Sequence, residues 1–108
     1  MPEIATNRLT PMWNGTTPTI LDLKVTEDSL SVSFSDGRIV SVPLSWYSRL
    51  SHAEPGDRSQ WRLTGRGHGI HWAAVDEDIS VDNILLGQPS GESAASFQKW
   101  QNWYRPKV

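Results

Sequence analysis

Leu21-Asp22-Leu23-Lys24-Val25, Leu30-Ser31-Val32-Ser33-Phe34-Ser35 and Val40-Ser41-Val42-Pro43-Leu44 decide the fold. Each run alternates apolar with polar residues, and two polar breaks, Thr26-Glu27-Asp28-Ser29 and Asp36-Gly37, separate them. Side chains on an extended strand point to opposite faces in turn, so a period of two marks a strand with one buried and one solvated face. Three such runs predict an antiparallel meander over residues 20–44, with Leu21, Leu23, Val32 and Val40 facing one core. The second turn sets the register. A two-residue loop at Asp36-Gly37 would place Val32 opposite Ser41 and turn the apolar set of the third strand to water. A three-residue loop, Ser35-Asp36-Gly37 with Gly37 left-handed in a bulge, puts Val32 and Val40 on the same face, and is the reading preferred.

Downstream the period changes. Trp46, Arg49 and Leu50 lie at helical spacing behind Ser45, a candidate N-cap, and Pro55–Gln60 suits a further helical turn. Trp61, Leu63 and the glycine-rich run after them read as strand, turn and strand. Ser80 is placed to cap a short helix through Val81, Ile84 and Leu85, closed by Gly87. Residues 88–92 read as a linker, and Ser93–Tyr104 as an amphipathic helix with Phe97, Trp100 and Tyr104 on one face and Pro106 beyond its end. Upstream, residues 1–18 hold Pro2, Pro11, Pro18 and Asn14-Gly15-Thr16-Thr17 without either periodicity, the pattern of a flexible arm, with Trp13 able to pin it. The expected fold class is α+β: a three-stranded antiparallel meander plus a further short hairpin or strand pair, packed with short helices and a C-terminal amphipathic helix. Residues 19–87 form its single domain, and residues 88–108 its linker and C-terminal helix.

The 108 residues suit one core, and their net charge of −2 offers no basic footprint for nucleic acid or anionic membrane. With no cysteine, disulfides, thiolate catalysis and cysteine-ligated zinc are excluded, and a cytoplasmic setting is expected. No run has the length of a membrane span, and the polar Met1–Asn7 lacks a basic start and apolar signal core.

Special residues concentrate in Gly65-Arg66-Gly67-His68-Gly69-Ile70-His71-Trp72-Ala73-Ala74-Val75-Asp76-Glu77-Asp78-Ile79-Ser80. A phosphate loop needs a helix after its glycines, whereas Ile70-His71-Trp72 reads as strand. His68 and His71, three apart, would diverge on a strand, so no metal and no cofactor is expected. Acid–base chemistry at His71 with Glu77 or Asp78 lacks a nucleophile. The expected arrangement is one connected cluster of His71, Trp72, Asp76, Glu77 and Asp78 holding a strand–loop–helix junction. In it Asp78 or Ser80 caps the helix, Glu77 points outward, and Asp76 and Glu77 pair with Arg62 or Arg66. Six tryptophans supply either core mass or an aromatic surface; Trp46, Trp100, Trp103 and Tyr104 are the candidate partner surface.

The succession Phe34-Ser35-Asp36-Gly37-Arg38, Val42-Pro43-Leu44-Ser45-Trp46-Tyr47, Arg49-Leu50, Trp61, Gly67-His68-Gly69-Ile70-His71-Trp72, Asp76-Glu77-Asp78-Ile79-Ser80 and Leu85-Leu86-Gly87 resembles the bacterial domain-of-unknown-function family 2442. The resemblance implies a small α+β domain without established catalytic activity. It also implies a setting beside a second short protein in a toxin–antitoxin-like gene pair, or fusion to a helix-turn-helix domain. The expected function is thus a non-enzymatic protein-interaction or regulatory domain, with the antitoxin-like member of a bacterial gene pair as one role the resemblance implies and the adjacent-gene product as the expected partner. The alternative is a small enzyme or metal-dependent site built around His71 and Asp76–Asp78.

Overall fold

The computed structural model describes residues 17–104; residues 1–16, Trp13 among them, and Pro106 lie outside the described residues. The meander forms as expected: β1 (Ile20–Val25), β2 (Ser29–Phe34) and β3 (Ile39–Pro43) pair antiparallel in that order. Val32 stands opposite both Leu23 and Val40, so the three share a face. The β2–β3 turn is the three-residue loop. Phe34 N–H donates to the Arg38 carbonyl at 2.9 Å and Gly37 N–H to that of Phe34 at 3.0 Å, with Gly37 at φ 94°. A side chain at that φ would be strained, so glycine holds the register here.

Leu21 departs from the expectation. Ile20 pairs with Phe34 and Asp22 with Ser33, so a bulge at Leu21 takes up one residue. Strict alternation would send Ile20 and Leu23 to opposite faces; the bulge lets both bury and leaves Leu21 64% exposed.

A second antiparallel sheet contains β4 (Arg62–Thr64), β5 (Gly69–Trp72) and β6 (Glu77–Ser80). The hairpin was legible; its third strand comes from the acidic run, which the sequence reading treats as a junction. Ile79 explains the difference: opposite Ile70, it completes a buried apolar pair. The Gly65–Gly67 turn joins β4 to β5 and packs against the first sheet. A Cβ on Gly67, at φ 90°, would stand 3.0 Å from the Thr19 Cβ, so only glycine lets this turn press against the start of β1.

Between the sheets run a 3₁₀ turn (Leu44–Trp46), α1 (Ser48–Ser51) and α2 (Pro55–Arg58). Ser45 lies inside the 3₁₀ turn and is not a cap. The turn enters from Pro43, already at φ −64°, and ends because Tyr47 is extended (φ −125°, ψ 91°), which swings its ring and then Leu50 into the core. α3 (Val81–Leu85) begins as expected at Ser80. Its Oγ accepts the Asn83 N–H at 3.2 Å while Asn83 Oδ1 accepts the Ser80 N–H at 3.1 Å, so each side chain satisfies the other's free donor. α4 (Ala94–Tyr104) opens on Ser93, whose Oγ accepts the Ser96 N–H at 3.1 Å.

All these elements share one core, in which Leu30, Val32, Phe34, Leu50, Ile70, Trp72, Val75, Ile79 and Ile84 are buried. Trp72 donates its indole N–H to the Arg58 carbonyl at 2.9 Å, and Trp100 its own to Val75 at 2.7 Å. A buried indole without such an acceptor would lose the hydrogen bond it makes with water. Among the described residues no helix is long and apolar enough to cross a membrane.

Candidate functional site

The pleat of β5 and β6 divides the residues that the sequence reading joined. His71 pairs with Asp78 and Trp72 with Glu77 in successive positions of the ladder, so the two pairs face opposite ways. On the outer face His71 Nδ1 lies 2.8 Å from Asp78 Oδ1, with Arg62 opposite His71 on its other side. An ionised carboxylate only accepts, so Nδ1 carries the proton. On the inner face Trp72 is buried and Glu77 is partly covered. Three expectations are corrected together. Asp78 is an exposed strand residue and not a cap; Glu77 turns inward; and the cation at Asp76 is Arg49, not Arg62 or Arg66.

Arg49 organises the inner side. Its Nε lies 3.0 Å from both Glu92 carboxylate oxygens, Nη2 is 2.6 Å from Glu92 Oε2, and Nη1 donates to the Asp76 backbone carbonyl at 2.7 Å. The Asp76 carboxylate is further off, at 3.4 Å. Only a planar fork of fixed donors makes such a set of contacts at once. Asp76 itself is left-handed (φ 52°, ψ 51°) at the end of the Ala73–Val75 turn. Aspartate tolerates this region better than most residues, and the conformation aims its carbonyl at Arg49. Glu92 also accepts the Ser96 hydroxyl at 2.6 Å. Residues 88–92, read as a linker, are therefore anchored. Besides Glu92, Ser90 N–H donates to the Trp46 carbonyl at 3.0 Å and the Tyr47 hydroxyl to that of Gln88 at 3.3 Å.

The carboxylates of this cleft sit in different electrostatic settings. Hydrogen bonding to Arg49 holds Glu92 below the usual carboxyl range. Burial pushes Glu77 above it, only partly offset by the Asp78 N–H at 3.0 Å and by the more distant charge of Arg49. Burial, with Glu77 nearby, also raises the Tyr47 phenol.

Arg49, Asp76, Glu77, Asp78, Ser90, Glu92 and Ser96 line a cleft of about 360 Å³. Across Arg49, Asp76 and Ser96 it adjoins a second, of about 420 Å³, walled by Lys99, Trp100 and Trp103. Of the four aromatics expected to form a surface, Trp100 is 4% exposed and belongs to the core, stacked between Phe97 and Tyr104 at 5.6 and 4.7 Å. The Tyr104 hydroxyl accepts the Glu54 N–H at 2.9 Å and donates to Asp57. Trp46 is half-buried against the core. Trp103, 53% exposed, is the one of the four that presents its ring to solvent. Sequence reasoning missed Arg49 and Glu92 as site residues. Arg49 reads as a helical position and as part of the family succession but is given no partner, and no pattern singles out a lone glutamate in a polar stretch.

The family model described as a protein of unknown function, DUF2442, matches residues 20–90. The chain belongs to this family. Two solved structures show the fold of this DUF2442 chain at a TM-score of 0.61 each. One is a protein of unknown function from Rhodospirillum rubrum, 20% identical over 72% of this chain and 94% of that one. The other is an uncharacterised protein from Chromobacterium violaceum, 18% identical over 95% of this chain and 96% of that one. No curated protein matches the chain. The family match spans β1 to the first anchored residues of the 88–92 segment, so it contains Arg49 and Asp76–Asp78, while Glu92 and α4 follow it.

Proposed function

We propose that this DUF2442 chain is a non-enzymatic protein-interaction domain that binds through the paired clefts around Arg49, as the antitoxin-like member of a bacterial gene pair. The observation that carries the reading is the continuity of the two clefts: fixed charges at one end, and the exposed Trp103 ring at the other. Interfaces draw their energy from such aromatic anchors and their specificity from the charges around them. The enzymatic alternative begins from the His71–Asp78 pair, which orients an imidazole as a general base requires. Yet among the described residues no hydroxyl is hydrogen-bonded to His71, and the inward Glu77 lies on the opposite face of the sheet, so neither a nucleophile nor a second carboxylate joins it.

The test is co-expression with the product of the adjacent gene, followed by size-exclusion chromatography. Co-elution at a defined ratio, lost in Trp103→Ala, is the expected result. Separate elution of two folded proteins would sink the reading.

A further inference from the structure

The free edge of the first sheet carries a pattern that is complementary to itself. β1 ends the strand order, and among the described residues no strand lies beyond it. The Thr26 N–H donates to the Ser29 carbonyl at 2.9 Å, which makes these two a hydrogen-bonded pair at the head of the β1–β2 ladder. Such pairs alternate with non-hydrogen-bonded ones along an antiparallel ladder. Lys24 with Ser31 and Asp22 with Ser33 are therefore hydrogen-bonded in turn. Leu23, opposite Val32, and Val25, opposite Leu30, aim their N–H and C=O groups at the open edge instead. Asp22 and Lys24 stand exposed on the outer face of the same strand. Among the described residues neither forms an ion pair, in contrast to Asp36, which closes on Arg38. The bulge at Leu21 bounds the regular edge on one side.

We infer that two copies of this chain associate edge to edge, β1 pairing antiparallel with the partner's β1 about a twofold axis at Leu23. At that axis the two Leu23 residues exchange backbone hydrogen bonds through the groups they already aim outward. On either side of it Asp22 lies opposite the partner's Lys24. These flanking pairs are of the non-hydrogen-bonded kind, in which cross-strand side chains come closest. Leu21, exposed at the bulge, falls opposite the partner's Val25. The neighbouring axis positions do not work. An axis at Asp22 or Lys24 sets like charges against each other and meets backbone groups already bonded to β2. An axis at Val25 leaves both charges unpaired. A lone lysine on an edge strand discourages pairing. Asp22, on the same face, makes that lysine half of a self-complementary set, which is what an isologous contact requires. None of the residues lining the two clefts belongs to β1, so this seam leaves the Trp103 surface open.

The test is sedimentation equilibrium of the full chain over a range of concentrations, with circular dichroism to verify that each variant keeps the parent's fold. The parent is expected to show a monomer–dimer equilibrium, weak because the seam is short and weaker still as salt rises. Lys24→Glu and Asp22→Lys each turn attraction into repulsion at both flanking pairs, and should raise the dimer Kd by about tenfold. The double variant Asp22→Lys, Lys24→Asp restores opposite charges across the axis and should recover the parent's Kd. That recovery distinguishes pairing across the seam from a simple change of surface charge. Trp103→Ala should leave the dimer as it is. A parent still monomeric at about 1 mM overturns the inference, as does a dimer indifferent to the single variants or not recovered by the double exchange. A dimer that Trp103→Ala dissociates overturns it too, since the second copy would then sit in the clefts.

Discussion

Glu77 and Glu92 share a cleft and respond to pH with opposite sign. Between the ordinary carboxyl pKa and its raised folded value, Glu77 keeps its proton in the native state and loses it in the unfolded chain. The native state then binds more protons, so stability falls as pH rises through that window. Glu92, lowered by Arg49, does the reverse: its contribution is present above the ordinary carboxyl range and lost as pH falls through the folded value. Urea unfolding across pH should show Glu77→Gln more stable than the parent at neutral pH, with the difference closing in acid. Glu92→Gln should be less stable by about 2 kcal/mol at neutral pH, the scale of a hydrogen bond to a charged group, also converging in acid. A pair of curves bending the same way would refute this account of the cleft. Arg49 is the common partner of Asp76 and Glu92. Its role was hidden in the sequence because the residues it joins stand 27 and 43 positions away, beyond any local periodicity.

Among the elements, β6 and α3 separate two roles that the sequence reading assigned jointly. Ser80 forms a reciprocal cap with Asn83, and Asp78 takes no part in it. Ser80→Ala should therefore cost about 1 kcal/mol. Asp78→Ala, at an exposed strand position paired only with His71, should change stability by no more than about 0.5 kcal/mol. Denaturant midpoints of the two variants check the ordering, and a larger loss for Asp78→Ala would restore the capping role. β1 offers a similar contrast. Leu23→Ala opens a hole in the core and should cost about 2–5 kcal/mol, whereas Leu21→Ser, at the bulge, should cost almost nothing. A strand obeying strict alternation would lose comparable stability at both. The alternation was legible because burial of one sheet face imprints a period of two. The bulge was not, because Ile20-Leu21 offers two adjacent apolar residues, and the choice between them falls to the partner strand.

At the scale of the molecule, α4 belongs to the same core as the sheets. Trp100 reaches Val75, Phe97 packs at 4.9 Å from His52, and Tyr104 ties to Glu54 and Asp57. Trp100→Ala removes both apolar area and a satisfied indole, and should cost about 3–5 kcal/mol, a large share of the stability of so small a domain. Trp103→Ala should leave the melting temperature almost unchanged. Thermal melts of the two variants distinguish a helix that completes the core from one that merely lies on it; equal, small effects would favour the latter.

The sequence by itself determined the kinds and order of most elements. Alternation marked the meander, the Asp36-Gly37 turn chose its register, and Ser80 with Gly87 bounded α3, all through interactions between residues near in the chain. Composition likewise excluded disulfides and thiolate chemistry. Tertiary structure alone decided which of the special residues meet. It recruited Glu77–Ser80 as a third strand because Ile79 needed Ile70. By that pairing it sent His71 with Asp78 to one face and Trp72 with Glu77 to the other. It drew Arg49 onto Asp76 and Glu92, buried Trp100 and left Trp103 at the rim. Those outcomes depend on which distant surfaces must leave water together, a condition that no local pattern along the chain records.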